Sequence, residues 1–194
     1  MTQPTSRADV RRKDRQMTDE TWIKTMLREC ATCTLATVAD GQPFINMNLY
    51  AYDEIAHIIY MHTARVGRTH DNIAHDERVC FSVSEMGRLL PADTALEMSV
   101  EYASVIVFGR AANVDDPNEA RHALQLLLDK YFAHLHSGAD YRPITDEELA
   151  RTAVYRITID DWSAKRKRVA DDFPGAFTYA RNADWRNDSG AAGG

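Results

Sequence analysis

The chain contains one short stretch whose side chains suit both phosphate binding and proton transfer. Between Tyr60 and Asn72 the pattern predicts a strand that ends at His62, a tight turn at Gly67 and a helix that opens near Arg68. The start of a helix leaves backbone N–H groups unpaired, and those groups attract anions. Further donors around this start are the side chains of Thr63, Arg68 and Thr69. The stretch predicts a phosphate cradle, and the alternative is an ordinary strand–turn–helix with a solvated face.

His62 has two interpretations. An imidazole with an ordinary pKa of about 6.5 can supply protons while a bound molecule is reduced. It can also be a strand-end residue that only hydrogen-bonds a cofactor phosphate or a backbone carbonyl. Because side chains alternate along a strand, His57 faces away from His62. His57, His70 and His75 are interpreted as surface or helix residues.

Length and charge limit the classes of function. The chain has 194 residues, 44% hydrophobic residues and a formal net charge of -6, as is typical of one globular domain. The acidic balance argues against a general nucleic-acid binder. The sequence has no secretory signal and no apolar run that spans a membrane. We therefore expect a cytoplasmic protein without nucleic-acid or membrane partners.

Cys30 and Cys33 form a C-x-x-C pair, a spacing found in redox proteins and zinc sites. Here the pair is predicted to close a helix and open a strand, the reverse of the thioredoxin-like order, and no second pair of metal ligands accompanies it. Cys80 lies inside an apolar run. All three are interpreted as structural cysteines, and no metal site is predicted.

Capping signals predict the helices. Thr18 is predicted to cap a first helix, Asp116 followed by Pro117 begins a second, and Thr145 with Glu148 forms a capping box for a third. The apolar stripe of the second helix is interpreted as core rather than as a cofactor-binding surface. Its members are Ala120, Leu124, Leu127, Leu128 and Tyr131.

About six strands account for most of the remaining chain. Asp40-Gly41 predicts a hairpin between strands at 34–38 and 44–52, and further strands are predicted at 55–62, 78–83, 99–114 and 152–161. Successive hairpins with few helices favour an antiparallel barrel with helices packed outside. Residues 1–10 are predicted to form a disordered tail, 11–170 the domain, and 171–194 a partly disordered extension.

Eight short segments match one protein family in its order along the chain. They are Arg12–Arg15, Leu35–Thr37, Pro43–Ile45 with Tyr50–Tyr52, Tyr60–Thr63 with Gly67 and Arg68, Leu96–Val105 with Phe108 and Gly109, Arg142–Thr145, Arg151–Tyr155 and Ile159–Lys165. With these segments the sequence resembles the FMN-binding split-barrel proteins related to pyridoxamine 5′-phosphate oxidase. Within that family it is most similar to the Nim (5-nitroimidazole resistance) proteins.

The resemblance implies a mainly β, six-stranded antiparallel split barrel with peripheral helices, which forms a homodimer and holds FMN at the subunit interface. It implies that the phosphate contacts His62, Thr63, Arg68 and Thr69, and that Gly67 belongs to the same cofactor site. It also implies that the backbone of Asn46, Met47 and Asn48 lies along the edge of the flavin ring. Further cofactor contacts are implied for Leu35, Ala36, Thr37, Ser99, Tyr102, Ser104, Trp162 and Lys165. The histidine that matches His62 is regarded as reactive in Nim-like proteins, which makes His62 the implied catalytic residue.

The chain also departs from the family pattern. The segment 46–52 has no Arg or Lys to bind a phosphate, Met47 stands where many Nim proteins have Pro, and Ala164 precedes Lys165 where they have Gly. The Arg and His residues of the oxidase's terminal signature are missing after Trp162. These differences argue against pyridoxamine 5′-phosphate oxidase activity, which stays a minor alternative.

Two classes of function stay open. The first is an FMN-dependent reductase that passes electrons from a reduced donor to a small electrophile, such as a nitroimidazole or another nitroaromatic compound. The second is a flavin- or haem-binding carrier without turnover. The chain has no Gly-rich dinucleotide fingerprint, so a nicotinamide donor is expected to bind only transiently.

Overall fold

The computed structural model describes residues 6–179. They form one antiparallel sheet of nine strands, in the order β3-β2-β6-β7-β8-β5-β4, with β1 paired to β8 and β9 paired to β6. The strands are β1 (Gln16–Met17), β2 (Cys33–Ala39), β3 (Gln42–Asn48), β4 (Ala51–Asp53), β5 (Ile58–Ala64), β6 (Arg78–Leu90), β7 (Ser99–Asn113), β8 (Thr152–Lys167) and β9 (Phe177–Thr178). The helices are α1 (Glu20–Glu29), α2 (Arg68–His75), α3 (Pro117–Tyr131) and α4 (Asp146–Arg151).

The helices begin close to where the capping signals predicted. Asp116 caps α3, with Pro117 at its first position, and the Thr145 capping box opens α4. The prediction for α1 was wrong by one residue, because the N-cap is Asp19 rather than Thr18. The carboxylate of Asp19 accepts hydrogen bonds from two backbone N–H groups of the first turn.

The class of fold, mainly β with a few helices, is confirmed, but several strand limits differ from the prediction. The segment 44–52 is divided into β3 and β4, and at the break the Tyr50 N–H donates to the Tyr131 hydroxyl at 3.2 Å. Strands β6 and β8 continue to Leu90 and Lys167, because both pair with β7 along most of its length. Two short strands, β1 and β9, add to the sheet and raise the count above six.

The sheet encloses a single large core. The core residues come from β2, β4, β5, β6, β7 and β8, and α1 adds its apolar side. Tyr50, Phe81 and Tyr155 are among the largest fully buried side chains. A second, smaller cluster lies between α3 and the strands β5 and β8, where Tyr60 and Val154 pack against Ala120 and Ala123.

The N-terminal tail is shorter than predicted. Val10 is buried, and Arg7 forms an ion pair with Asp160 at 3.2 Å, so residues 7–10 lie against the barrel. Composition alone did not indicate this packing, because Val10 is one apolar residue inside a polar segment. Residues 1–5 and 180–194, which include the rest of the predicted tail and most of the extension, lie outside the described residues. No helix between residues 6 and 179 is long and apolar enough to cross a membrane.

Candidate functional site

The N terminus of α2 presents backbone donors, as the sequence predicted. Gly67 is the N-cap residue with φ 119° and ψ 169°, and no side chain of the described residues caps the helix there. That backbone conformation is essentially restricted to glycine. The Arg68 guanidinium lies 5.2 Å from the centre of the Phe44 ring on β3. The contact places the positive end of α2 beside the edge strand of the sheet.

Two of the predicted phosphate ligands, Thr63 and Thr69, are poorly available to a ligand. The Thr63 hydroxyl donates to the Ala64 carbonyl at 2.8 Å and lies 3.4 Å from the Tyr155 hydroxyl, which His70 Nδ1 also contacts at 2.9 Å. Thr69 is buried. Arg68 and the backbone N–H groups are therefore the available donors, and the threonine hydroxyls contribute less than the sequence suggested.

Strand β3 is an edge strand that pairs only with β2 among the described residues. The side-chain oxygen Oδ1 of Asn46 is buried and has no hydrogen-bond partner within residues 6–179. Asn48 Nδ2 lies 3.5 Å from the Asn46 carbonyl, and Met47 is 66% exposed. A buried acceptor without a donor is costly, so Asn46 is a place where a bound ligand with an N–H group can stabilise the protein.

The three predicted contacts on β2 are mostly inaccessible. Leu35 is fully buried in the core, and Thr37 is buried and accepts a hydrogen bond from Asn72. Ala36 is half-buried and pairs with Ile45 of β3. The side chains of Leu35 and Thr37 therefore pack inside the protein, where they support β3 and α2, and they do not face a ligand.

His62 lies on the opposite face of β5 from Thr63. Tyr60, which shares the His62 face, donates a hydrogen bond to Glu119 of α3 at 3.1 Å, and Met61 points into the barrel core. The imidazole opens into a cavity of about 460 Å³ between β5, α3 and the segment 141–148. The structure therefore separates His62 from the α2 cradle, although the two are close in sequence.

The surroundings of His62 are largely apolar. Desolvation by the protein lowers the pKa of His62, although the residue is exposed to solvent. The imidazole is therefore mainly neutral at pH 7, a form that ligates metals well and is a weaker proton donor than the cation. The cavity is lined by Leu49, His62, Leu124, Leu127, Leu128, Tyr131, Phe132, Tyr141, Arg142, Ile144 and Glu148.

This cavity changes the interpretation of the α3 stripe. Ala120 and Leu127 are buried, as expected for core residues. Leu124, Leu127, Leu128 and Tyr131 also line the cavity. Ala120, Leu124 and Leu127 pack in the core as the sequence predicted, and the stripe in addition forms one wall of this cavity. No signal in the α3 sequence distinguishes a helix packed on a cavity from one packed on a solid core.

The predicted residues on β7 and β8 fall on two faces of the sheet. Tyr102 pairs with Lys167 and Ser104 with Lys165. The Lys167 ammonium contacts the Ser99 hydroxyl, and Arg15 lies 3.5 Å from the Tyr102 hydroxyl. Tyr102, Ser104, Lys165 and Lys167 therefore share one polar, basic face of the sheet.

Trp162 lies on the other face of β8. It packs against the core, and its ring centre is 5.1 Å from that of His57. Trp162 and Lys165 therefore do not form a single contact surface within one chain, because three positions along a strand place two side chains on opposite faces.

The cysteines occupy structural positions. Cys30 ends α1 and Cys33 begins β2, in the predicted order. Burial raises the pKa of the Cys30 thiol to about 11 and that of Cys33 to about 12, so both stay protonated and unreactive at neutral pH. Within residues 6–179 no group of three or more His, Cys, Asp or Glu side chains is placed to hold a metal ion.

Comparison with known proteins identifies the family. The family model described as pyridoxamine 5′-phosphate oxidase matches residues 19–166, which is most of the chain. The chain belongs to the pyridoxamine 5′-phosphate oxidase family. No curated protein matches it in sequence.

Solved structures of the same fold extend this result. The flavocytochrome Anf3 from Azotobacter vinelandii superimposes with a TM-score of 0.74 at 22% identity, over 92% of this chain and 87% of that one. The FAD and haem binding protein from Mycobacterium smegmatis gives 0.70 at 22% identity, over 91% and 80%. A candidate 5-nitroimidazole antibiotic resistance protein from Bacteroides thetaiotaomicron gives 0.65 at 18% identity, over 78% and 86%. The split-barrel fold is thus shared with all three.

Within the pyridoxamine 5′-phosphate oxidase family, the residues of this chain fit a flavin nucleotide at one place. The uncapped start of α2 and Arg68 suit a phosphate, and the orphaned Asn46 Oδ1 on the open edge of β3 suits a ring N–H donor. The contact of Arg68 with Phe44 joins these two features. The His62 cavity is a second and separate space.

Proposed function

We propose that this protein binds a flavin nucleotide, with FMN as the expected cofactor, and acts as a reductase for small electrophiles. The observation that carries the proposal is the position of Arg68 over Phe44, which brings an uncapped helix start next to the exposed edge of β3. Family membership supports the same cofactor. The bound flavin would supply the capacity to accept electrons from a reduced donor and pass them on.

The protein's own groups have defined roles in this proposal. The N–H groups at the start of α2 and the Arg68 guanidinium balance the charge of the phosphate. Asn46 orients the ring through its Oδ1 atom. His62 lies in a cavity apart from the cradle, so its catalytic role requires that an aromatic acceptor such as a nitroimidazole binds in this cavity and takes electrons from the flavin across β5. A ring nitrogen of His62 would then exchange a proton with the acceptor, and the cavity walls would exclude water.

The reductase is proposed to act as a homodimer in the cytoplasm. Ile45 and Met47 on the edge strand β3 are 64% and 66% exposed. An open edge strand with exposed apolar side chains tends to associate unless another surface covers it. A second copy of the chain would cover this edge together with the flavin.

A second candidate function is a binding protein without turnover that carries flavin, haem or both. Two proteins of the same fold are named as a flavocytochrome and as an FAD and haem binding protein. The specific observation in its favour is that His62, mainly neutral, opens into an apolar cavity rather than toward the α2 cradle.

Nitroaromatic reduction by purified protein, reconstituted separately with FMN and with FAD, tests the reductase. After reduction with dithionite, the flavin should reoxidise faster with a nitroimidazole under anaerobic conditions than with buffer alone. His62→Ala should keep the flavin and lose about 10²–10⁴-fold in this rate, the range for a general acid–base group. Chromatography of the flavin released by acid establishes whether FMN or FAD is held.

The outcomes separate the two candidates. If the reduced flavin reoxidises at the same rate with and without each nitroaromatic or quinone tested, the protein is not a reductase for these compounds and the carrier function is supported. Rapid turnover that His62→Ala does not change would keep the reductase and remove His62 from its mechanism.

A further inference from the structure

The His62 cavity has the size and lining of a site for a flat apolar ligand. Its volume of about 460 Å³ falls within the range of roughly 300–1,000 Å³ that small-molecule sites occupy. One wall is formed by Leu124, Leu127 and Leu128 of α3, and aromatic side chains of Tyr131 and Phe132 continue it. Phe132 is 46% exposed at the rim, so the cavity is open to a ligand from solvent.

His62 is the one side chain of the lining that offers an uncommitted ligating atom. Neither of its ring nitrogens has a hydrogen-bond partner among the described residues. The Tyr131 hydroxyl is held by the Ala31 carbonyl at 2.8 Å, and the Tyr141 hydroxyl accepts from Gln125 Nε2 at 2.9 Å.

The carboxylate of Glu148 is also occupied. It accepts from Arg142 at 2.9 Å and from the Thr145 N–H of the capping box at 2.9 Å. A metal that enters this cavity therefore meets one available protein ligand, a neutral imidazole, in apolar surroundings. Iron accepts such a ligand, and a porphyrin supplies the other four nitrogen donors that the cavity lacks.

At the rim of the cavity, the positively charged side chain of Arg142 can bind acidic groups of a ligand. The Arg142 side chain is 67% exposed, and its partner in the described residues is Glu148. A guanidinium binds carboxylates through two parallel hydrogen bonds. Arg142 can therefore hold a carboxylate at the rim while the apolar part of the ligand stays inside.

We propose that this cavity is a haem site in which an imidazole nitrogen of His62 ligates the iron, Arg142 binds a propionate, and the leucines of α3 cover the porphyrin. The proposal rests on the second candidate function and specifies its site. It separates the haem from the flavin, because His62 and the α2 cradle use opposite faces of β5. The proposal also implies that the described residues would supply only one ligand to the iron, His62. A small external ligand could therefore bind the iron as well.

Titration of the purified protein with hemin tests the site. We expect saturation at one haem per chain, a sharp Soret band typical of histidine ligation, and a carbon monoxide complex after reduction with dithionite. His62→Ala should lose that band and bind hemin at least about tenfold more weakly, since even a residue that only supports a metal ligand is worth about 10–100-fold. Added imidazole should restore the band in His62→Ala.

His122→Ala is the matched control, because His122 lies on α3, pairs with Asp53 and does not line the cavity. It should bind hemin like the unchanged protein. A His62→Ala protein with an unchanged Soret band, or hemin uptake that does not saturate at one per chain, would overturn the proposal. Flavin content measured in the same samples keeps the two proposals apart: hemin binding without flavin removes only the flavin proposal, and flavin without hemin binding removes only this one.

Discussion

Asn72 Nδ2 donates a hydrogen bond to Thr37 Oγ1 at 2.9 Å, and both side chains are buried. This bond fastens α2 to β2 and so fixes the position of the helix start beside Phe44. The sequence pointed to Thr37 as a cofactor contact, whereas the structure gives it a partner in the protein. The position of the proposed flavin cradle therefore depends on a buried polar pair within the protein.

Removing one member of this pair should destabilise the protein. Asn72→Ala leaves the Thr37 hydroxyl buried without a donor, at a cost of about 1–3 kcal/mol in the free energy of unfolding. Urea denaturation of Asn72→Ala, Thr37→Val and the double variant measures this. The double variant should cost clearly less than the sum of the two single variants, and strict additivity would show that the bond does not couple them.

Gly67→Ala should damage the cradle through the backbone. At φ 119° and ψ 169° a Cβ is strained although space is available around it, and we expect a loss of about 1–3 kcal/mol in stability. Thermal unfolding and flavin titration measure the two effects. Val66→Ala, at the neighbouring exposed position, is the control and should be near neutral. A Gly67→Ala protein as stable as the control would mean that the turn readily takes another conformation.

Arg68→Ala should weaken flavin binding without unfolding the protein. A charge-assisted hydrogen bond to a phosphate contributes about 1.5–3 kcal/mol, and Arg68 is exposed. Fluorescence titration at fixed salt measures the affinity. Arg78→Ala is the matched control, because Arg78 follows the other end of α2 and pairs with Asp76. Equal flavin affinity in the two variants would remove Arg68 from the site.

The ionised carboxylate of Glu101 should stabilise the folded protein, and this stabilisation should be lost in acid. Arg88 holds this carboxylate at 2.9 Å and the Val169 N–H donates to it at 2.9 Å, which lowers the pKa of Glu101 from 4.5 to about 2. A carboxyl whose pKa is lowered on folding stabilises the protein above its unfolded pKa, and this contribution disappears as the pH falls toward 2.

The Glu101 prediction is checked by thermal unfolding as a function of pH. The difference in melting temperature between the unchanged protein and Glu101→Gln should be largest near neutral pH and should shrink below the pKa of 4.5. Because Arg88 also binds the Asp171 carbonyl, Glu101→Gln should expose the segment 168–171 to proteolysis sooner. A constant difference across the pH range would contradict the role given to the ionised carboxylate.

Met47→Lys should disrupt the proposed dimer. Light scattering of the unchanged protein should give twice the chain mass of 21.9 kDa, and the variant should shift toward the monomer and lose flavin. A lysine on an edge strand disfavours association. Ile55→Lys is the control, since Ile55 is fully exposed in the turn before β5. A monomeric unchanged protein that still holds flavin would exclude a site shared between two chains.

The sequence by itself determined the features that depend on neighbouring residues. Asp40 and Gly41 form their hairpin turn, Asp116 begins α3, and Thr145 opens α4, because the conformation of a turn or a cap is set within three or four positions. The alternation used to separate His57 from His62 does not apply, because His57 lies in the turn before β5 with φ 58°. The family segments, spread along the chain in order, were sufficient to indicate the split barrel.

Only the tertiary structure decided what these elements face. Tyr131 interrupts the strand at Tyr50 from a position 81 residues away, and α3 together with the segment 141–148 encloses the space in front of His62. Neither contact leaves a periodic trace in the sequence, since the partners come from distant segments and share no local pattern. For that reason the sequence placed His62 with the phosphate cradle, whereas packing of α3 against β5 gives it a cavity of its own.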